Sequence, residues 1–466
     1  MKLFGRRPQG DSSDRPATHA RYWILAVLFL VTALNYADRA TLSIAGSALS
    51  KELSIGPVAL GYLFSAFGWS YVIGQIPAGW LLDRYGSKLI YGVSLFGWSV
   101  FTLLQGSVGV FHPEHAFFAL FFIRFMLGLL ESAAFPANNR IVAAWFPTSE
   151  RGTATSIFNS AQYAAVAFFG PLMGLIAAHF GWQYIFFFMG GLGILLSLVW
   201  PKMMYDPSRH PRVSKSELNY ISTGGALVDM DRNLDRRRTH TRIDRKQLYK
   251  LLSHRLFLAA YVGQYAIVAL TYFFITWFPM YLVQERGMSI IKVGFVAALP
   301  AICGFVGGLT CGVLSDTLLR KGRTVTTARK TPFVFGMLLA TSMVACNYAT
   351  EEWQIIAIMG LAFFGKGLAA IGWAVISDAA PKQITGLAGG VFNAVGAVAG
   401  IITPIASGYI IAITGSYAGV LVFVAAHALI AVLAYLFLMG KIERQQLGEG
   451  DATQERLPAE ALNNRA

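Results

Sequence analysis

Charge is scarce in this chain. Asp, Glu, Lys and Arg together make up 13% of its 466 residues, against about a quarter in an ordinary soluble protein. With 55% hydrophobic residues and a mean hydropathy of +0.53, that deficit excludes a water-soluble globular enzyme. Cysteine is equally scarce. Cys303, Cys311 and Cys346 cannot form a disulfide framework and show no metal-ligand spacing, so they read as small apolar packing residues. There is no nucleophile–base pattern and no cofactor-binding glycine loop, and His112, His115, His179 and His427 stand alone. The chain does not read as an enzyme.

Apolar runs fill the space that charge leaves. Twelve of them, from 22–49 to 418–439, have about the 20-residue length that crosses a bilayer. The first follows about twenty polar residues and is too long for a signal-peptide core, so it reads as a retained span. The pattern predicts an all-α membrane protein of twelve transmembrane helices in two pseudo-symmetric six-helix bundles. Its expected parts are an N-terminal tail (1–21), a first bundle (22–204), a central loop (205–254), a second bundle (255–440) and a C-terminal tail (441–466). Of the 38 Lys and Arg, 23 fall in the alternate loops 83–88, 140–151, 202–255, 319–330 and 380–384. The opposite loops hold only Lys51, Arg286 and Lys292. The positive-inside rule therefore puts both termini and the central loop in the cytoplasm. The basic run 236–246 reads as a solvated segment near anionic headgroups rather than a nucleic-acid site. In "SKSELNYI" (214–221), Ser214 and Glu217 have capping-box spacing.

Three cations remain inside expected helices, Arg39, Arg124 and Lys366, and three acids, Asp38, Glu131 and Asp378. Ionisable residues within membrane helices mark functional sites by default. Asp38 and Arg39 are sequence neighbours, so on a helix they point about 100° apart and each requires its own partner. Arg124 and Glu131 share a helix face but sit about 10 Å apart along it, poorly placed to pair. Lys366 has two readings, facing a substrate or pairing with Asp378. The second needs a helix break, since twelve residues span about 18 Å, and the first is preferred. Cations in both halves suit an anion at their interface, and a diacid better than a monoacid. Carboxyls in a low-dielectric site beside cations suit proton uptake and release, a role given to Asp38 and Glu131.

The halves repeat. "GWLLDRYGSK" (79–88) returns loosely as "GVLSDTLLRKG" (312–322), placing Asp83 against Asp316, and "FPTSERGTATSIFNS" (146–160) aligns with "APKQITGLAGGVFNA" (380–394). Parallel repeats with a site between them are a transporter plan. In the first motif, Gly79 and Gly86 allow close approach and a sharp turn, and Asp83 and Arg84 are placed to bridge to a neighbouring helix as a gate.

"GWLLDRYGSK" resembles the loop 2–3 signature of the major facilitator superfamily. "NYADRATLSIAGS" (35–47), "SAAFPANNRIVAAWFP" (132–147) and "SIFNSAQY" (156–163) resemble its anion:cation symporter branch. "ALTYFFITWFPMYLVQERGMSI" (269–290) and "AFFGKGLAAIGWAVISDAAPK" (362–382) are similar to bacterial D-glucarate/galactarate permeases. The resemblance covers roughly residues 20–445. It implies proton-coupled uptake of a sugar-acid anion by alternating access, by a monomer in the bacterial inner membrane. The implied partners are that anion, protons and the lipid bilayer, with no nucleic acid and no cofactor beyond the coupling proton. By the same resemblance Asp38 and Glu131 serve proton coupling. Tyr36, Arg39, Tyr71, Arg124, Gln162, Gln264, Trp373 and Asn393 match substrate contacts. Lys366 and Asp378 depart from the galactonate-type pattern, which is uncharged at both. From the residues alone, Trp277 and Trp373 have two readings, cover for the apolar edge of a sugar acid or packing between helices.

Overall fold

The computed structural model describes residues 18–147, 150–229, 249, 253–381 and 385–445. Most of the two tails, most of the 230–252 stretch with the basic run 236–246, and Lys382 lie outside the described residues.

Among the described residues, twelve helices are long and apolar enough to cross a membrane. In chain order they are α1 (Ala20–Glu52), α2 (Pro57–Tyr85), α3 (Ser87–Val110), α4 (His115–Trp145), α5 (Thr153–Phe180) and α6 (Trp182–Met203). The second set is α7 (Arg255–Thr276), α8 (Ile290–Arg320), α9 (Val325–Tyr348), α10 (Glu352–Ala379), α11 (Ala388–Thr414) and α12 (Ala418–Leu438). The protein is thus a multi-pass membrane protein of two six-helix halves. Between α2 and α3 the chain turns at Gly86, whose φ of 83° suits a residue without a Cβ.

Three spans are broken where the sequence reads as continuous. Within α4, helix runs to Glu131 and resumes at Ala134. The α7 span continues past Thr276 as a short helix from Phe278 to Gln284. Within α10, helix ends at Leu368 and resumes at Gly372. In the first two a proline follows the break, Pro136 and Pro279. Each lacks the N–H that would bond the carbonyl four residues back.

The halves meet at the end opposite the basic loops. There α2 lies against α11: a Cβ on Gly61 would sit 2.7 Å from the Pro404 carbonyl oxygen, and one on Gly68 2.8 Å from that of Gly400. Likewise α5 lies against α8, where a Cβ on Gly174 would sit 2.9 Å from the Ile290 carbonyl oxygen. Trp277 is fully buried in this contact, donating to the Pro404 carbonyl at 3.1 Å and meeting Phe64 edge-on. Its side chain is committed to contacts between helices. Toward the basic end, Gly79, Gly308 and Gly312 have nothing within 4 Å of an added Cβ, so the close approach expected of Gly79 is absent.

A clasp ties α1 to the central loop. Ser214 caps the short helix Lys215–Thr223 by accepting from the Glu217 N–H. The Glu217 carboxylate, fully buried, turns away to the N-terminus of α1, which corrects the capping-box reading. It accepts from the Thr18 hydroxyl, from the Ala20 and Arg21 backbone N–H groups at 3.0 and 3.2 Å, and from the Arg21 guanidinium at 3.3 Å. The first turn of a helix has unpaired N–H groups and a positive dipole end, so a carboxylate is the group it accommodates best. Arg21 also reaches Glu150 at 3.1 Å, before α5, and Tyr220 donates to the same carboxylate.

Candidate functional site

The charges of α1 and α4 meet inside the first half. Glu131 ends the first piece of α4, and one of its oxygens accepts from Arg39 Nε at 3.1 Å. Asn35, one turn before Arg39, accepts from Arg39 Nη2 at 3.1 Å. Arg39 further lies over the rings of Tyr36 and Phe67 at 4.7 Å and Tyr71 at 5.0 Å, with Phe67 and Tyr71 stacked on each other. The cation is therefore matched by one carboxylate and an aromatic box, contacts that retain strength when desolvated.

Asp38 is not bonded to Arg39. It is completely buried, its charged neighbours are Glu131 and Arg124, and the Trp98 indole lies beside it. Neither Asp38 oxygen has a hydrogen-bond partner among the described residues, nor do Glu131 Oε2 and Arg124 Nε and Nη1. Arg124, 2% exposed, stands 5.9 Å from the Phe67 ring. Two carboxyls and two guanidiniums thus share one buried volume with a single direct ion pair among the described residues. Burying such groups costs several kcal/mol each, in the range of about 3–5 when a partner is removed. They do not persist without a compensating use of their charge.

The second half contributes a residue to this cluster that sequence reasoning missed. Tyr272 of α7 neighbours Arg39, Tyr71, Glu131 and Arg124, and its ring lies on Gly400 of α11. One turn further, Ser43 donates to the Thr276 carbonyl at 2.6 Å, a bond between the halves just before the α7 break. Asn35, Phe67 and Trp98 were missed as well. Only Asn35 carried a signal, standing four residues before Arg39.

The remaining candidates are dispersed. Lys366, 5% exposed, closes the first piece of α10 beside Tyr163 and Phe363. α10 does break between Lys366 and Asp378, yet the pair expected as the rival reading does not form. Asp378 instead accepts from Arg329 of α9 at 2.8 Å, and Arg329 also bonds Ser315. Gln162 donates to the Asn159 carbonyl in its own helix, and Gln264 packs on Gly396 of α11. Trp373 is half exposed and packs on Phe392 and Gly389, while Asn393 is half-buried on α11. Among the described residues no hydrogen bond joins these four to the charge cluster. At the basic end Asp83 pairs with Arg140 of α4, in its own half. Arg84 lies over Trp80 and Tyr85, and Asp316 is exposed.

A model of the Major Facilitator Superfamily matches residues 28–328. The chain belongs to that superfamily. Within the superfamily it is 57% identical to the probable galactarate/D-glucarate transporter GudP of Escherichia coli K12, over 94% of this chain and 98% of that protein. It is 53% identical to the Bacillus subtilis 168 protein of the same description, over 96% of each. It is 40% identical to a D-galactonate transporter of Escherichia coli O6:H1, over 91% of this chain and 96% of that one. Among solved structures, a bacterial homolog to the human lysosomal transporter Spinster, inward-facing and occupied, matches with a TM-score of 0.69 at 17% identity. That match covers 90% of this chain and 97% of the other. A D-xylose-proton symporter matches with a TM-score of 0.66 at 15% identity, over 91% and 98%. These likenesses show the major facilitator fold, in which the Asp38–Arg39–Arg124–Glu131 cluster lies toward the second half through Tyr272.

Proposed function

We propose that this protein is a proton-coupled symporter that imports sugar-acid dianions of the glucarate/galactarate type by alternating access, with both termini cytoplasmic. The observation that carries the reading is the unequal pairing of the buried cations. Arg39 is neutralised by Glu131, Arg124 is only partly satisfied, and Lys366 is buried against two aromatic rings with no charged neighbour among the described residues. A dianion supplies one charge to the first half and one to Lys366 in the second.

The cluster links this to protons. With both carboxyls ionised, Asp38, Arg39, Arg124 and Glu131 sum to zero. Each proton taken up adds one positive charge, and a proton on Glu131 releases Arg39 for a substrate carboxylate. Attraction for the anion then rises with protonation, because a buried charge has no water to screen it. Loss of the proton restores the Arg39–Glu131 pair and weakens the hold. The Ser43–Thr276 bond, one turn from Arg39, ties that change to contact between the halves. With the basic loops inside, the described contacts between the halves run from the outer end to mid-membrane, where Tyr163 meets Gly304, and they support a conformation that opens inward. The names of the relatives support the substrate class. A monoacid substrate, as the D-galactonate relative's name suggests for that protein, leaves Lys366 unmatched.

The test is uptake by purified protein in proteoliposomes under an inward proton gradient, with labelled glucarate, galactarate, galactonate and glucuronate. Gradient-driven uptake of the two diacids is expected. Uptake of galactonate but not of glucarate overturns the dianion assignment, and gradient-independent uptake of all four overturns symport.

A further inference from the structure

We infer that Tyr163 is a positioning residue that sets diacid specificity, holding the Lys366 ammonium across the interface as the partner of the substrate's second carboxylate. The inference rests on the transport reading above and extends it to a residue of the other half. Lys366 belongs to α10, in the second half, whereas Tyr163 belongs to α5, in the first. The ammonium lies 5.4 Å from the Tyr163 ring centre and 5.5 Å from that of Phe363. The seat for the Tyr163 ring is built into the second half. Its Cε1 lies 2.8 Å from where a Cβ on Gly304 would stand, so any larger residue there displaces the ring. The Phe305 ring meets it at 6.2 Å, edge-on.

The chemistry of this seat differs from that of Arg39. A carboxylate neighbour would neutralise the ammonium, as Glu131 does Arg39. Two aromatic faces offset part of the desolvation of a buried cation without supplying a negative charge. The cation is held in place and keeps its appetite for an anion. Because the holding ring comes from the opposite half, Lys366 is aimed only while α5 and α8 stay together, so relative movement of the halves at this level alters the grip on the second carboxylate.

The ring face, not the hydroxyl, makes the contact, which separates this role from a direct hydrogen bond to substrate. In proteoliposomes, Tyr163→Phe is expected to match the wild type in KM for glucarate. Tyr163→Leu is expected to raise that KM about 30-fold, equivalent to about 2 kcal/mol at about 1.4 kcal/mol per tenfold, with the maximal rate within about twofold. Inhibition of glucarate uptake by the monoacid galactonate is expected to weaken by less than about threefold. Where the Leu variant does not fold, Tyr163→Met is the second apolar replacement, with the same expectation. An unchanged glucarate KM in the Leu or Met variant overturns the assignment. So does an equal loss for diacid and monoacid, or a Phe variant as impaired as the Leu one. Wild-type protein that takes up no diacid overturns the transport reading itself, an outcome distinct from wild-type uptake with an indifferent Tyr163.

Discussion

Replacing Glu131 by Gln separates the two duties assigned to this side chain. Gln is nearly isosteric and keeps a carbonyl oxygen for the Arg39 Nε–H now held at 3.1 Å. It carries no charge and takes up no proton. The variant therefore imitates the protonated carrier permanently. Substrate-loaded carrier still moves between its two states, because loaded carrier has Arg39 turned to the anion. Unloaded carrier must return with a largely buried guanidinium whose one direct ion pair among the described residues is gone. Leaving one member of a buried pair uncompensated costs about 3–5 kcal/mol. Taking the lower end, because the Gln oxygen retains part of the hydrogen bond, the return step slows by about 100-fold at about 1.4 kcal/mol per tenfold. In proteoliposomes, net uptake of labelled glucarate driven by a proton gradient should fall by that factor. Counterflow exchange, which needs only loaded carrier, should stay within about threefold of wild type. Gradient-driven uptake close to wild type refutes the proton-carrier role of Glu131. Equal loss of exchange and net uptake refutes the argument that Arg39 is what the return step must neutralise.

Glu217→Ala removes a buried carboxylate that holds both the Arg21 side chain and the N-terminus of α1. The loss should be about 3–5 kcal/mol of stability, read as a lower midpoint of thermal unfolding in detergent, whereas an unchanged midpoint contradicts the clasp. Gly68→Val puts bulk against the Gly400 carbonyl. By overpacking of about 1–3 kcal/mol it should shift the carrier toward opening at the α2–α11 contact. Thiol labelling of a Phe64→Cys probe, at a position buried beside Trp277 in that contact, with the native cysteines replaced, should rise, and unchanged labelling counts against the described interface. Asp378→Asn weakens a half-exposed pair with Arg329; it should leave the KM for glucarate within about twofold, and a large rise would return Asp378 to the substrate site.

The architecture was legible because a bilayer imposes one rule on the whole chain: twelve apolar stretches with basic loops on alternate sides have few other readings. The intramembrane charges were legible for the same reason, as exceptions in apolar runs. Their partners were not. Glu131 meets Arg39 rather than Arg124 because α1 crosses α4 where α4 breaks, a contact across 92 positions that no local spacing encodes. The separate directions of Asp38 and Arg39 followed from helix geometry alone, whereas the Asp378–Arg329 pair depended on how α9 packs beside α10. Tyr272 and Tyr163 gave no signal, since an aromatic residue in a membrane run more often faces lipid or fills a core. Glu217 shows the reverse case. Its spacing from Ser214 correctly marked a helix start, but a carboxylate in reach of a second helix N-terminus found stronger donors there.

The most direct test of the central claim is the diacid gradient that just halts net flux against a fixed proton gradient in proteoliposomes. The cluster holds two carboxyls, Asp38 and Glu131, both fully buried. Two protons moving with one dianion carry no net charge. A tenfold proton gradient, about 1.4 kcal/mol per proton, should then balance an opposing glucarate gradient of about 100-fold. Clamping the membrane potential at different values should leave that balance unchanged. A null point that does not move with the proton gradient would contradict the account.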